Sequence, residues 1–241
     1  MQRNITKKSN RVLILCLGLL LAYLSAFSQE KEGTGTWMLL SGSHQISEKL
    51  KIPTVGILRY ASFMDENEFG FLRTGLTYTP NDTFHLTMGI AYLDTEPFEH
   101  DQEDIQTTQF WLYEEFSLHL KFGTVPLSQR FRVEQRWVHK PETDDFNHRF
   151  RYRLQWTHAI SKKIYLKISD EPFVGLSKLA INQNRFYSGL GYKFSDKVRF
   201  EMGYMKNHIG KDNYDLAQIT LQFKTNIIRK NQFDTASKNK F

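Results

Sequence analysis

Between Trp37 and Phe223 the side chains alternate in polarity with a period of two, the pattern of strands that separate two environments. It is cleanest in two adjacent stretches. Along 130–137, Arg130, Arg132, Glu134 and Arg136 share one face, while Phe131, Val133, Gln135 and Trp137 share the other. Along 149–156, Arg149, Arg151 and Arg153 oppose Phe150, Tyr152, Leu154 and Trp156. The same rhythm gives candidate strands at 35–46, 49–60, 69–79, 84–93, 107–120, 126–139, 147–160, 164–174, 184–194, 197–207 and 214–224. The chain is therefore expected to be all-β.

The connections alternate in length. Short turns are expected at Ser47-Glu48-Lys49, Pro80-Asn81-Asp82-Thr83, Gly123-Thr124, Ser161-Lys162-Lys163 and Ser195-Asp196-Lys197. Longer polar loops are expected at 61–68, 94–106, 140–146, 175–183 and 208–213, the acidic run 94–104 being the longest. Short turns on one side and longer loops on the other describe an outer-membrane barrel. Because such bacterial barrels have even strand counts, the eleven candidates imply one more or one fewer, within a range of 10–12. Gly75-Leu76-Thr77-Tyr78 with Asp82 and Met88-Gly89 aligns without gaps on Gly189-Leu190-Gly191-Tyr192 with Asp196 and Met202-Gly203. This weak repeat covers one hairpin each time and reads as a meander within one domain.

The N-terminus sets the expected compartment. Arg3, Lys7, Lys8 and Arg11 precede an apolar run from Val12 to Leu24, which closes on Ser25-Ala26-Phe27-Ser28. Charged, apolar and small-residue regions in that order make residues 1–28 a cleaved signal peptide. Cys16, the single cysteine, sits inside the apolar region behind Leu15, which argues against lipidation. Removing residues 1–28 leaves 28 basic and 26 acidic side chains, a formal charge of +2 in place of +6. The basic balance is thus no evidence for nucleic-acid binding. After residue 28 no apolar stretch is long enough for a transmembrane helix, so a membrane-spanning chain has to close as a barrel. Residues 29–224 are expected to form that barrel and 225–241 a polar, basic periplasmic tail.

Which face is the lumen follows from cost. Each Arg on a lipid-facing surface at the bilayer midplane costs about 2–4 kcal/mol, so in a membrane the arginine face must line the lumen. A soluble periplasmic ligand-binding barrel inverts the assignment, and periodicity alone does not separate the two. Export, alternating connections and aromatic residues near strand ends, as in girdles, favour the membrane. In 107–120, Glu114 falls on the face of Phe110, Leu112, Phe116 and Leu118, which calls for a bulge or a place near an interface.

The fold read from these signals is an antiparallel up-and-down transmembrane β-barrel with a polar Arg/Glu-lined lumen. Its lining comprises Arg130, Arg132, Glu134, Arg136, Arg149, Arg151, Arg153, Glu115, Glu171, Arg185 and Glu201. Face parity makes cross-strand partners on the central hairpin sum to 285 or 287, setting Glu134 opposite Arg151 or Arg153. The lining is either a salt-bridged plug or an electropositive constriction that passes small anions. A lipid-modifying hydrolase needs a serine and histidine within reach. His148 and Ser188 share the outward face two strands apart, about 10 Å, too far for a nucleophile and its base. His119 and His158 fall near turns and His85 stands alone in its strand. No metal spacing occurs, and neither cofactor nor catalytic constellation is expected. The partners expected are outer-membrane lipid, the barrel assembly machinery during biogenesis and small anions.

Arg132-Val133-Glu134-Gln135-Arg136, Asn147-His148-Arg149-Phe150-Arg151-Tyr152-Arg153, Asp170-Glu171-Pro172-Phe173 and Asn184-Arg185-Phe186-Tyr187-Ser188-Gly189-Leu190-Gly191-Tyr192 together resemble domain-of-unknown-function family 2490. The resemblance runs from Trp37 to the last strand and departs at Asp170, where Asn is expected. It implies a signal peptide and an outer-membrane barrel, and brings no activity with it.

Overall fold

The structure, a computed structural model, describes residues 34–60, 67–95, 106–123 and 125–228. The expected signal peptide and residues 229–241 of the expected tail lie outside them. The strands are β1 (Thr34–Gln45), β2 (Leu50–Tyr60), β3 (Asn67–Tyr78), β4 (Phe84–Thr95), β5 (Thr107–Phe122), β6 (Val125–His139), β7 (Asp144–Ala159), β8 (Ile164–Gly175), β9 (Ala180–Lys193), β10 (Val198–Ile209) and β11 (Asp212–Asn226). Each pairs antiparallel with the next, and β11 meets β1 to close the barrel.

An odd count makes β1 and β11 run in the same direction, so the barrel is mixed. Eleven lies within the expected 10–12, but the odd number overturns the even-count expectation and adds one parallel pair to an otherwise antiparallel meander. The even-number rule holds where both termini share one end of the barrel. Here β1 starts at one end and β11 finishes at the other. At the seam the Ile227 amide donates to the Gln45 carbonyl at 2.8 Å, and His44 Nδ1 lies 2.8 Å from Thr225 Oγ1.

Four of the five turns at one end share a device legible in the sequence. Ser47, Ser161 and Ser195 each accept, through Oγ, the amides two and three residues on, at 3.0–3.3 Å, and Asn81 Oδ1 does the same for Thr83 and Phe84. Such side-chain turns fix the reversal locally. We call this the turn end and the opposite one the loop end. At the loop end three expected loops contract, to 140–143, 176–179 and 210–211. Their polar residues continue the strands: Asp144 pairs with His139, and Gly210, at φ +59°, makes a two-residue reversal. Only the connections 61–66 and 96–106 stay longer, so the alternation of lengths is weaker than the sequence implies.

Burial fixes the faces. Arg132 and Glu134 are 2% and 0% exposed, whereas Leu72 and Met88 are 63% and 67% exposed. Leu76, Ile90, Leu112 and Leu190 also point outward. The core of this fold is its lumen. Part of the aromatic complement lies inside it as well: Trp37, Phe71, Trp111, Tyr113, Phe173 and Tyr187 are all buried. Those six are not girdle residues, whereas Trp137 is exposed on the outer wall. Register across β4–β5–β6 is continuous, so there is no bulge at Glu114. It stays outward in mid-strand, opposite Met88 and Val133, and accepts a hydrogen bond from Gln135 Nε2 at 3.1 Å.

Candidate lumenal site

The site grows out of the β6–β7 hairpin. Its partners sum to 283, which sets Glu134 opposite Arg149, Arg132 opposite Arg151 and Arg130 opposite Arg153. This corrects the expected pairing of Glu134 with Arg151 or Arg153. The strands run on to His139 and Asp144, so the turn is tighter than expected and the register slides by two residues. A two-residue slide preserves every face.

Glu134 accepts from Arg149 Nε at 2.7 Å, and Arg149 Nη2 lies 2.5 Å from it; Arg151 Nη1 bonds it at 2.8 Å and Arg132 Nη1 stands 3.6 Å away. Arg151 also reaches Glu171 through Nε at 2.9 Å and Nη2 at 2.8 Å, and Arg130 pairs with Glu171. On the other flank Glu115 accepts from Arg132 Nε at 2.8 Å and Ser117 Oγ at 3.3 Å, with Arg130 Nε 3.8 Å away. Seven charged residues of β5–β8, with Ser117, thus form one connected network. Removing charges from water costs several kcal/mol per ion, and dense charge-assisted bonding of this kind offsets it.

The other sequence-derived lining residues sit apart. Arg136 donates to Asn147 Oδ1 at 2.8 Å at the edge of the network, and Arg185 donates to Asn207 Oδ1 at 3.3 Å. Arg153 Nε is buried without a hydrogen-bond partner. Glu201, fully buried, belongs to a separate cluster: Tyr165 and Tyr187 hydroxyls donate to it at 3.1 and 3.0 Å, and Lys167 pairs with it.

Aromatic rings close the remaining space. Trp37, Phe69, Phe71 and Trp111 form a ladder with centroid separations of 6.1, 6.2 and 5.4 Å across β1, β3 and β5, ending beside the arginine-bearing β6. Arg185 lies 4.8 Å from the Trp37 centroid, Arg149 5.1 Å from Trp111 and Arg151 4.2 Å from Phe173. Guanidinium planes stack well on ring faces, so rings and arginines meet inside the lumen. These rings, Lys167 and Arg73, which lies 5.3 Å from the Tyr113 ring centroid, are not among the residues expected from the sequence, although parity alone puts Trp111 and Tyr113 on the face of Glu115.

Two histidines gain detail. His85, alone in β4, has a cross-strand neighbour: its ring centroid is 4.7 Å from that of His119 on β5. His148 and Ser188 are further apart than two strands, because on the intervening segment they align with Leu176, one residue past the end of β8, and with Ile168. Those levels differ by roughly 26 Å at the usual strand rise, which removes the pair as nucleophile and base.

A closed eleven-stranded β-barrel with an arginine-rich, side-chain-filled lumen is the class these features define. The chain belongs to the family described as Protein of unknown function (DUF2490), whose pattern matches residues 34–218, from the first residue of β1 into β11. A search of curated proteins returns no match.

Proposed function

We propose that this chain is a non-enzymatic outer-membrane β-barrel whose lumen is shut at mid-depth by the Arg–Glu network, a wall-forming protein and not an open diffusion pore. The observation that carries this reading is the inversion of polarity: arginines and glutamates are buried inside while leucines, Met88 and Ile90 face out. A water-soluble barrel of this sequence would leave that apolar wall uncovered, far beyond what soluble surfaces carry. The two mid-strand carboxylates on the outer wall, Glu114 and Asp170, are each tied to an amide, of Gln135 and Asn184, at 3.1 and 2.9 Å. Acids on a lipid face cost less than Arg or Lys. In this reading the partners are outer-membrane lipid and the barrel assembly machinery.

A narrow anion-preferring pore is the second reading, favoured by the surplus of lumenal arginines. Planar-bilayer recording separates the two: the closed barrel gives no steady conductance, and a resolved anion-selective current would replace it. Membrane residence is tested by fractionation, with the protein expected in the outer-membrane pellet and migrating differently on gels before and after boiling. Recovery in the soluble periplasmic fraction would overturn it.

Orientation follows from turn chemistry. The loop end, holding the two longer connections, is expected outside, which sets the start of β1 at the outer surface and the end of β11 in the periplasm. Cysteine introduced at Asp144 should then react with an impermeant maleimide on intact cells, and one at Ser195 should not. The reverse labelling would invert the barrel.

A further inference from the structure

The lumen has a second region that the Arg–Glu network does not use, at the turn end. Residues directly opposed across a ladder share a face, which makes Lys51 lumenal beside buried Thr77, His85 lumenal beside buried Ser117, and His119 lumenal beside Ser128. Lys224 has the parity of buried Thr220, and Arg199 that of buried Glu201. These groups feel one another: Lys51 interacts electrostatically with both histidines and with Lys224, Arg199 with Lys224, and Arg153 with His119. A cavity of about 540 Å³ opens at this end, its wall containing His119 of this set together with Asp82, Lys121, Ser128, Gln155 and Thr157. Arg153 Nε and Arg199 Nε are both buried without a partner.

We propose that this mouth is a binding vestibule for small phosphate-type oxyanions. Like charges gathered in a partly enclosed space repel, and the two carboxylates that face them, Asp82 beside His85 and Asp196 beside Lys224, are outnumbered by Lys51, Lys224, Arg153 and Arg199. Glu201 is engaged by Tyr165, Tyr187 and Lys167, and Glu115 by Arg132 and Ser117. A tetrahedral oxyanion supplies several acceptor oxygens and more than one negative charge, matching a set of Lys, Arg and His donors interleaved with Ser, Thr and Gln. Lys49, Lys163 and Lys197 in the turns around the mouth raise the local concentration of such anions. Deeper in, the Arg130–Glu171–Arg151–Glu134 chain and buried Tyr113 block the way. The vestibule is a dead end, so a ligand enters and leaves by the same mouth. The proposal needs the closed lumen of the reading above but not its membrane location.

The test is calorimetric titration of the refolded full chain in non-ionic detergent at low salt with sodium pyrophosphate and, separately, orthophosphate. Saturable binding is expected, tighter for pyrophosphate, with Lys51→Gln/Lys224→Gln weakening it about tenfold or more, the scale of one or two charge-assisted contacts. Arg136→Gln, at the loop end, should bind like wild type. On titration the imidazole proton resonances of His85 and His119 should shift while those of outward His148 do not, a readout that needs no variant to fold. No saturable binding to the wild type, or equal weakening in Arg136→Gln, would overturn the vestibule and leave the membrane reading standing. Pyrophosphate carrying current through a bilayer-inserted barrel would overturn the dead end and the closed lumen together.

Discussion

Glu134→Ala is expected to lower the unfolding midpoint of the refolded barrel more than any other single change to the charge network. Three arginines point at this one carboxylate, which is fully buried. Removing one partner from a buried pair costs about 3–5 kcal/mol, because the survivors keep their desolvation penalty and lose its compensation. Gln135→Ala next door removes one exposed hydrogen bond to Glu114, worth about 1 kcal/mol. The register makes the rescue specific. Glu134 is the carboxylate that Arg149 pairs with, whereas Arg151 also holds Glu171. Adding Arg149→Ala to Glu134→Ala should therefore recover part of the loss, since contacting residues are not additive. Adding Arg151→Ala should recover less, because it strips Glu171 in turn, and Arg153→Ala should recover nothing. Urea unfolding followed by tryptophan fluorescence reads all five variants. A Glu134→Ala barrel as stable as wild type would mean that water screens the network and the lumen is open.

That rescue order could not have been written from the sequence. Strand positions were legible because Arg and Glu alternate with Phe, Leu and Trp through β6, β7 and β10, and because Ser47, Asn81, Ser161 and Ser195 announce their turns. Register was not. A slip by one residue would exchange the faces and be visible, but a slip by two keeps each face intact. Glu134 thus moved from Arg151 to Arg149 with no change in pattern. The inward aromatics were hidden for a related reason. On β5 both faces are apolar toward the loop end, with Phe110 and Leu112 outside and Trp111 and Tyr113 inside, so hydrophobicity alone does not separate lumen from wall. The eleven candidate strands carry the odd count, and the rule about shared termini points away from it. Closure by a parallel pair depends on β1 and β11, two segments about as far apart in sequence as the barrel allows, and no local pattern records it.

The repeat between the β3–β4 and β9–β10 hairpins points to the second large effect. In each hairpin two glycines stand directly opposite one another, Gly75 with Gly89 and Gly189 with Gly203. Each pair makes room for a tyrosine hydroxyl: a Cβ on Gly89 would fall 2.6 Å from Tyr113 Oη, and one on Gly203 would fall 2.7 Å from Tyr187 Oη. Tyr113 then donates to the Thr74 carbonyl at 3.2 Å, and Tyr187 to Glu201. Gly203→Ala should be severely destabilising, because the added carbon would also lie 2.5 Å from the Ser188 carbonyl oxygen and 2.6 Å from the Gly189 Cα. Backbone atoms of a paired strand do not move aside without loss of ladder hydrogen bonds, so the cost should reach or exceed the ~1–3 kcal/mol typical of overpacking. Gly89→Ala meets the Thr74 carbonyl at 2.2 Å and should behave alike. Gly191→Ala differs in kind. Its nearest obstacles are ring atoms of Tyr165, at 2.0–2.4 Å, and a side chain can be trimmed. Combining it with Tyr165→Ala should restore part of the folding yield, whereas Tyr187→Ala should not rescue Gly203→Ala. Gly56→Ala and Gly70→Ala, with nothing within 4 Å of the new carbon, are the controls and should fold like wild type. Heat-modifiable gel migration scores the yield of closed barrel in each variant. Normal folding of Gly203→Ala would mean that the two hairpins are not held as closely as their glycines require, and that the tyrosines do not seal the lumen against them.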